Sequence, residues 1–395
     1  MTDAMIMTVR GEVPASAIKG GGILVHQRVL EKESSVADVD IAMEDLMFLR
    51  EHPMEKGNLM LSSETRAFRE LERLAHVQSN CVVDIHGRET RDVKRLKRMS
   101  EQLDLHILAA TSVDVNSPDA TNAAALTQLL VLDLQYGIDN STIQASIIYQ
   151  RMPAASLANP SILQAISNAQ RVTNAPVYFS FEPHSPSLAE VQTFLDQYRS
   201  QFGGHLHRVV LCHCDVWWQE PAALQRVAAT TGVYLSFDLL GLSAVSDAIP
   251  FHSWSSAAVP RDFEIASCVQ SLLATHSSRI LLSSTITQTI QYHRCGGGGM
   301  VHALTSFKTK LFGQDLTPEQ QELWTTLIFQ NPLTLLQGYI KPPPAALPKD
   351  YLTCSICRHQ FEPIVGEYYT KFEFVYCSTK CLRRHRNASF APIET

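Results

Sequence analysis

Two sets of residues in this sequence have the types and spacing of metal chemistry. The first is Cys354-x2-Cys357, followed nineteen residues on by Cys377-x3-Cys381. Two cysteine pairs on short turns, separated by a loop of that size, can close a tetrahedral four-thiolate site. Such a site leaves no open position, so its Zn2+ is expected to be structural. A tail of this size cannot bury enough surface to fold without it. His385, four residues past Cys381, is a reserve ligand. The second set lies in GGGILVHQRVL, residues 20–30, where a glycine run leads into an apolar stretch ending in His26, with Arg28 two residues on. In a strand, residues i and i+2 share a face. A His-x-His here would aim two imidazoles at one metal, but the sequence has His-x-Arg, and a guanidinium does not coordinate a metal ion.

The elements that must position these residues follow a repeating pattern. Apolar, β-branched runs fall at 23–25, 81–85, 106–111, 143–149, 175–180, 208–213, 232–238 and 279–284. Amphipathic stretches such as 187–198 and 264–275 lie between them. Near 62–75 a serine, Ser62 or Ser63, precedes Ala67, Phe68, Leu71, Leu74 and Ala75 at helical spacing. Continuous apolar strands alternating with helices imply a parallel sheet covered on both faces. Eight such units over about 300 residues predict a (β/α)8 TIM barrel. An open doubly wound sheet is the rival, but the first strand–helix turn lacks a GxGxxG pattern. A proline-rich linker, 341–350 (KPPPAALPKD), separates this barrel, 1–340, from a zinc-binding module, 351–395.

Barrel chemistry sits at the C-terminal strand ends. Those ends carry His26 and Arg28, Asp84 and His86, Tyr149, Ser180, His213 and Asp215, Asp238, and Thr285.

The bulk numbers fit an intracellular enzyme-sized chain: 395 residues, 45% hydrophobic, formal net charge -6. That charge gives no general reason to expect nucleic acid or an anionic membrane as partner. No basic-then-apolar leader opens the sequence, and no apolar run is long enough to span a bilayer. A cytoplasmic location is expected, with the nucleus as alternative. Cys81, Cys212, Cys214, Cys268 and Cys295 are then expected to be buried free thiols.

Taken together, TVRGEVP, GGGILVHQRVL, CVVDIHGRETRD (81–92), DLHILAATSVD (104–114), HRVVLCHCD (207–215), GVYLSFDLLG (232–241), RILLSS, GGGGMVHAL and NPLTLL (331–336) resemble the phosphotriesterase-related family of the amidohydrolase superfamily. The likeness runs from Thr8 to about Gly338. It implies two divalent metals that activate a water against an ester, lactone or phosphotriester. It also implies their ligands: two histidines on strand one, a carboxylated lysine or glutamate on strand four, histidines on strands five and six, and an aspartate on strand eight that partners the attacking water. Carried over, His26 and His213 are kept. The other positions fall on Arg28, Tyr149, Ser180 and Thr285. Two histidines are fewer than the three protein ligands of a catalytic zinc, and Arg28 adds a charge that repels a dication. The expectation is a probable pseudoenzyme, in which a catalytic divalent metal is doubtful and His26 and His213 are the possible barrel ligands.

The alternative is a divergent metal-dependent hydrolase rebuilt from His26 and His213 with some of His86, Glu182, His184, Cys212, Cys214, Asp215 and His302. Cys212 and Cys214 flank His213 and are expected to point away from it, between barrel and helices. Arg28 with Tyr149 could hold an anion, but a salt bridge from Arg28 to Asp215 or another carboxylate at the barrel mouth is favoured. The run Gly296–Gly299 reads as a tight turn rather than a phosphate cradle, and Trp217 and Trp218 as caps of the barrel mouth. In the tail, VYCSTKCLRRHR resembles treble-clef-like fingers of the TRASH and MYM types. Lys380, Arg383, Arg384 and Arg386 make its last helix basic. A protein partner is favoured over nucleic acid, and the family likeness adds a homodimer as an expectation for the barrel.

Overall fold

Eight apolar runs become eight parallel strands in the computed structural model. It describes residues 4–33, 40–139, 141–153, 159–181, 186–246 and 259–338, and in the tail 352–357, 360–361, 368–371, 374–388 and 390. A hairpin of β1 (Met5–Thr8) and β2 (Gly11–Pro14) comes first. The sheet follows as β3 (Ile23–Gln27), β4 (Cys81–Asp84), β5 (His106–Thr111), β6 (Ile147–Arg151), β7 (Val177–Ser180), β8 (Val209–Leu211), β9 (Tyr234–Phe237) and β10 (Ile280–Leu282). The strands neighbour one another in chain order from β3 to β10. Side chains then tie the last strand to the first. Gln27 donates to Ser283 Oγ at 3.0 Å, and the Ser283 and Thr285 hydroxyls donate to the His26 carbonyl at 2.7 and 2.9 Å. This is the (β/α)8 architecture.

Strand alternation sorts the core into two layers. Ile23, Val25, Val83, Leu108, Tyr149, Tyr178, Val210 and Leu281 form the interior cluster. Leu24, Val82, Ile107, Phe179, Leu211 and Leu282 pack with helix residues such as Leu96, Leu130, Ile166 and Leu195. The helix Leu188–Ser200 begins where its sequence directs: Ser187 accepts from the Glu190 N–H, and Glu190 accepts from the Ser187 N–H. Ser63 sits at the N-cap of the helix Glu64–Glu72, but its hydroxyl makes no capping bond.

Most strands differ from their expected limits by one or two residues, and two of the differences have a visible cause. The fourth begins at Ile147 rather than 143, because the preceding residues bond back to a helix end: Ala145 donates to Asp133 O at 2.8 Å and Ile138 to Ile143 O at 2.7 Å. The sixth ends at Leu211, because His213 has φ 56°, a left-handed conformation no strand continues through.

The chain divides into two compact units, Met1–Ile340 and Lys341–Thr395. The second carries β11 (Leu352–Thr353) paired with β12 (Gln360–Phe361), β13 (Tyr369–Lys371) paired with β14 (Phe374–Tyr376), and the helix Thr379–Asn387. The proline-rich linker lies outside the described residues. Among the described residues, no helix is long and apolar enough to cross a membrane.

Candidate functional site

The C-terminal strand ends converge on a buried polar centre. His26 is completely buried, and its Nδ1 lies 2.7 Å from Thr285 Oγ1. The left-handed turn at His213 lets one carboxylate take both of its nitrogens: Asp238 Oδ2 accepts from the His213 backbone N–H at 3.1 Å, and Oδ1 lies 2.6 Å from Nδ1. Asp238 Oδ2 is also 3.9 Å from His26 Nδ1. The two imidazoles meet edge to face at 5.0 Å, with the Tyr149 ring 5.5 Å from His26. Burial pushes the Asp238 carboxyl up, but His213 and His26 outweigh it and hold the group below the usual carboxylate range. Asp215 behaves oppositely. Burial and the neighbouring Asp238 charge push it up, so it keeps its proton to higher pH. Its Oδ2 accepts from the Asp238 and Leu239 backbone N–H groups at 2.8 and 3.3 Å.

The structure thus gathers His26, Tyr149, His213 and Thr285, with Ser180 buried at the end of β7. Arg28 sits outside the regular strand. A register shift between Leu24 and Gln27 breaks the alternation that would put 26 and 28 on one face, and Arg28 lies one residue beyond β3. The guanidinium is half-buried and helps to lower the Glu31 carboxyl. Of the carboxylates expected to meet Arg28, Asp215 is not the one, since its Oδ1 has no hydrogen-bond partner and its Oδ2 is held by backbone; the carboxylate that feels the Arg28 charge is Glu31. A cavity of about 220 Å³ opens beside Tyr149, and the arginine that lines it is Arg151.

Cys212 requires a second correction. Cys214 packs in the outer layer as expected, but Cys212 belongs to the interior cluster with Val210. Alternation counted from Val210 puts residue 212 inward. The left-handed turn at His213 then brings the histidine inward as well, so the two are not on opposite sides. His26, Cys212 and Asp238 consequently offer donor atoms that all lie within 4.8 Å of one another. One nitrogen, one sulfur and one oxygen suit a single zinc-like ion. They do not make the ligand set of a bridged pair, and the barrel's metal site is degenerate. Asp238 was readable as a strand end, but nothing in the spacing tied it to His26.

The remaining candidates are placed elsewhere. His86 pairs with Asp84 at 2.8 Å, and His302 with Asp262 at 2.6 Å. Glu182 and His184 lie outside the described residues. The glycine run is a turn: Gly296, Gly297 and Gly299 donate to the carbonyls of His293, Tyr292 and Gln291. A Cβ on Gly297 would fall 2.1 Å from Gln291 O. Trp217 is buried, with its indole N–H on Pro186 O at 3.0 Å.

In the tail, the sulfurs of Cys354, Cys357, Cys377 and Cys381 cluster within 4.8 Å, with 3.5 Å between Cys357 and Cys377 and 3.8 Å between Cys377 and Cys381. Zn–S bonds of about 2.3 Å in a tetrahedron place sulfurs roughly 3.8 Å apart, so the donor set fits a structural zinc. Burial pushes the Cys354 thiol up, but the backbone N–H groups of Cys357, Cys377 and Ile356 outweigh it and bring it down to about 6, whereas burial and the neighbouring sulfurs raise Cys377 and Cys381, so the clustered sulfurs, and not their titration, carry the fit. His385 is not a fifth candidate. Its ring is buried, with Nδ1 2.9 Å from the Tyr376 hydroxyl.

A parallel eight-stranded barrel with histidines at the mouths of its first and sixth strands has the architecture of a metal-dependent hydrolase. The profile of the Phosphotriesterase family matches residues 6–336, and the chain belongs to that family. Residues 349–393 match the Vms1-associating treble clef domain, so the chain joins this barrel to a separate treble-clef module. Among relatives, the N-acetyltaurine hydrolase of Bos taurus is 26% identical over 294 residues, covering 72% of this chain and 82% of its own. That of Rattus norvegicus is 26% identical over 349 residues, covering 83% and 96%. A resiniferatoxin-binding protein from Rhodobacter sphaeroides superimposes with a TM-score of 0.71 at 24% identity, over 84% of this chain and 95% of that one. A lactonase from Listeria monocytogenes gives 0.64 at 14%, over 85% and 100%. These two structures share the fold.

Proposed function

We propose that the barrel is a non-hydrolytic member of its family, acting as a binding or scaffold domain, and that the tail is a zinc-stabilised module for docking a protein. Thr285 carries this reading. The family resemblance implies at its position an aspartate that partners the attacking water. Here a neutral hydroxyl stands instead, buried and engaged with the Nδ1 and carbonyl of His26. A hydroxyl does not titrate near neutral pH, so it cannot take the water's proton. Tyr149 and Ser180, at two further ligand positions, are equally closed off from solvent. The tail's matching domain is named for an association with Vms1, which is in keeping with the docking role.

One observation favours a second reading. The donors of His26, Cys212 and Asp238 could hold one divalent metal, and the relatives include hydrolases of N-acetyltaurine. Assays with N-acetyltaurine, a lactone and a phosphotriester, with and without added Zn2+ or Mn2+, separate the two. The first reading expects no turnover beyond that of His26→Ala and His213→Ala. Turnover that both substitutions abolish would establish the second.

A further inference from the structure

The tail helix Thr379–Asn387 has a fixed orientation. Ser378 Oγ accepts from the Cys381 N–H at 3.4 Å, and Cys381 stands in the four-sulfur cluster. His385 is buried, on the Tyr376 hydroxyl and edge-on to Phe374 at 4.7 Å. With residues 381 and 385 turned inward, Lys380, Arg383 and Arg384 are turned out, all three exposed and at i, i+3, i+4 spacing on one face. Arg386, also exposed, adds a fourth cation beside them. The helix, TKCLRRHRN, contains no acidic residue. Among the described residues, none of the four cations has an ion-pair partner.

We propose that this face docks an acidic segment of a protein partner, with carboxylates spaced to meet Lys380, Arg383 and Arg384. The inference rests on the reading of the tail as a protein-docking module, and it names the chemistry of the partner. Charge complementarity selects an acidic ligand, and the absence of an exposed ring from the described helix favours protein over single-stranded RNA. RNA readers interleave cations with exposed aromatic rings, whereas the ring on this helix, His385, is buried. The nearby Phe390 has Lys371 Nζ 5.0 Å above its face.

The test uses the full chain and fluorescence anisotropy with three labelled probes: a helical peptide with Glu at i, i+3 and i+4, the same peptide with Gln, and an oligouridine of the Glu peptide's formal charge. The Glu peptide is expected to bind about ten-fold tighter than the Gln peptide, and to weaken by about ten-fold in Lys380→Glu/Arg383→Glu/Arg384→Glu and with added salt. Zinc content reports whether the variant has kept its fold. Should the reversal disturb it, Lys380→Gln/Arg383→Gln/Arg384→Gln carries the same comparison. Failure of the Glu peptide to bind overturns the inference. Equal binding of the Glu and Gln peptides, undiminished in the variants, overturns it while leaving the docking role standing. Tighter binding of the oligouridine than of the Glu peptide overturns both.

Discussion

His86 is held between two carboxylates, 2.8 Å from Asp84 and 3.6 Å from Glu31. Burial pushes the imidazolium down, but the two acids outweigh it and raise the group to about 9. Its folded value lies above the ordinary 6.5. The pair therefore contributes stability that is fully present below about pH 6.5 and lost as pH rises through about 9, on the order of 3 kcal/mol. Urea unfolding of the wild type across that window should show the loss, and His86→Gln should flatten it. At the barrel mouth, Asp238→Ala removes the buried carboxylate that faces both His213 and His26. The expected cost is about 3–5 kcal/mol in the same assay. Residue-scale reading of the sequence located His26, Tyr149, Ser180, His213 and Thr285, because strand ends on one barrel face must converge. It misplaced Cys212 because the count began from His213, whose positive φ is a property of the turn and leaves no mark in the residue types around it.

The strands and helices were legible because their signals are local: β-branched apolar runs, helical spacing, and capping residues such as Ser187 and Glu190. The limits at residues 143 and 213 are set by backbone bonds back to a helix end and by a turn. The opening glycine run gives a test at this scale. A Cβ on Gly21 would fall 2.1 Å from the Val77 carbonyl oxygen, where only backbone could yield, whereas one on Gly20 meets nothing within 4 Å. Gly21→Ala should cost about 1–3 kcal/mol, and Gly20→Ala should stay within about 0.5 kcal/mol. Thermal melts of the two variants are a direct comparison.

The two units hold themselves together by different means. The first buries one apolar layer inside the barrel and another between strands and helices. The second has short hairpins, one helix and four clustered sulfurs, so its folding is coupled to metal. Chelation should therefore open the tail to protease while the barrel stays resistant, seen as a single cut near the linker on a gel. The central claim, a barrel without a hydrolytic metal joined to a zinc-held tail, is tested most directly by metal content. Inductively coupled plasma mass spectrometry would be applied to the wild type, to Cys354→Ser/Cys377→Ser, and to Cys212→Ala. The account predicts one zinc per chain, lost in the double variant and kept in Cys212→Ala. A metal that persists when the tail cysteines are replaced, and that leaves with Cys212→Ala, would contradict it.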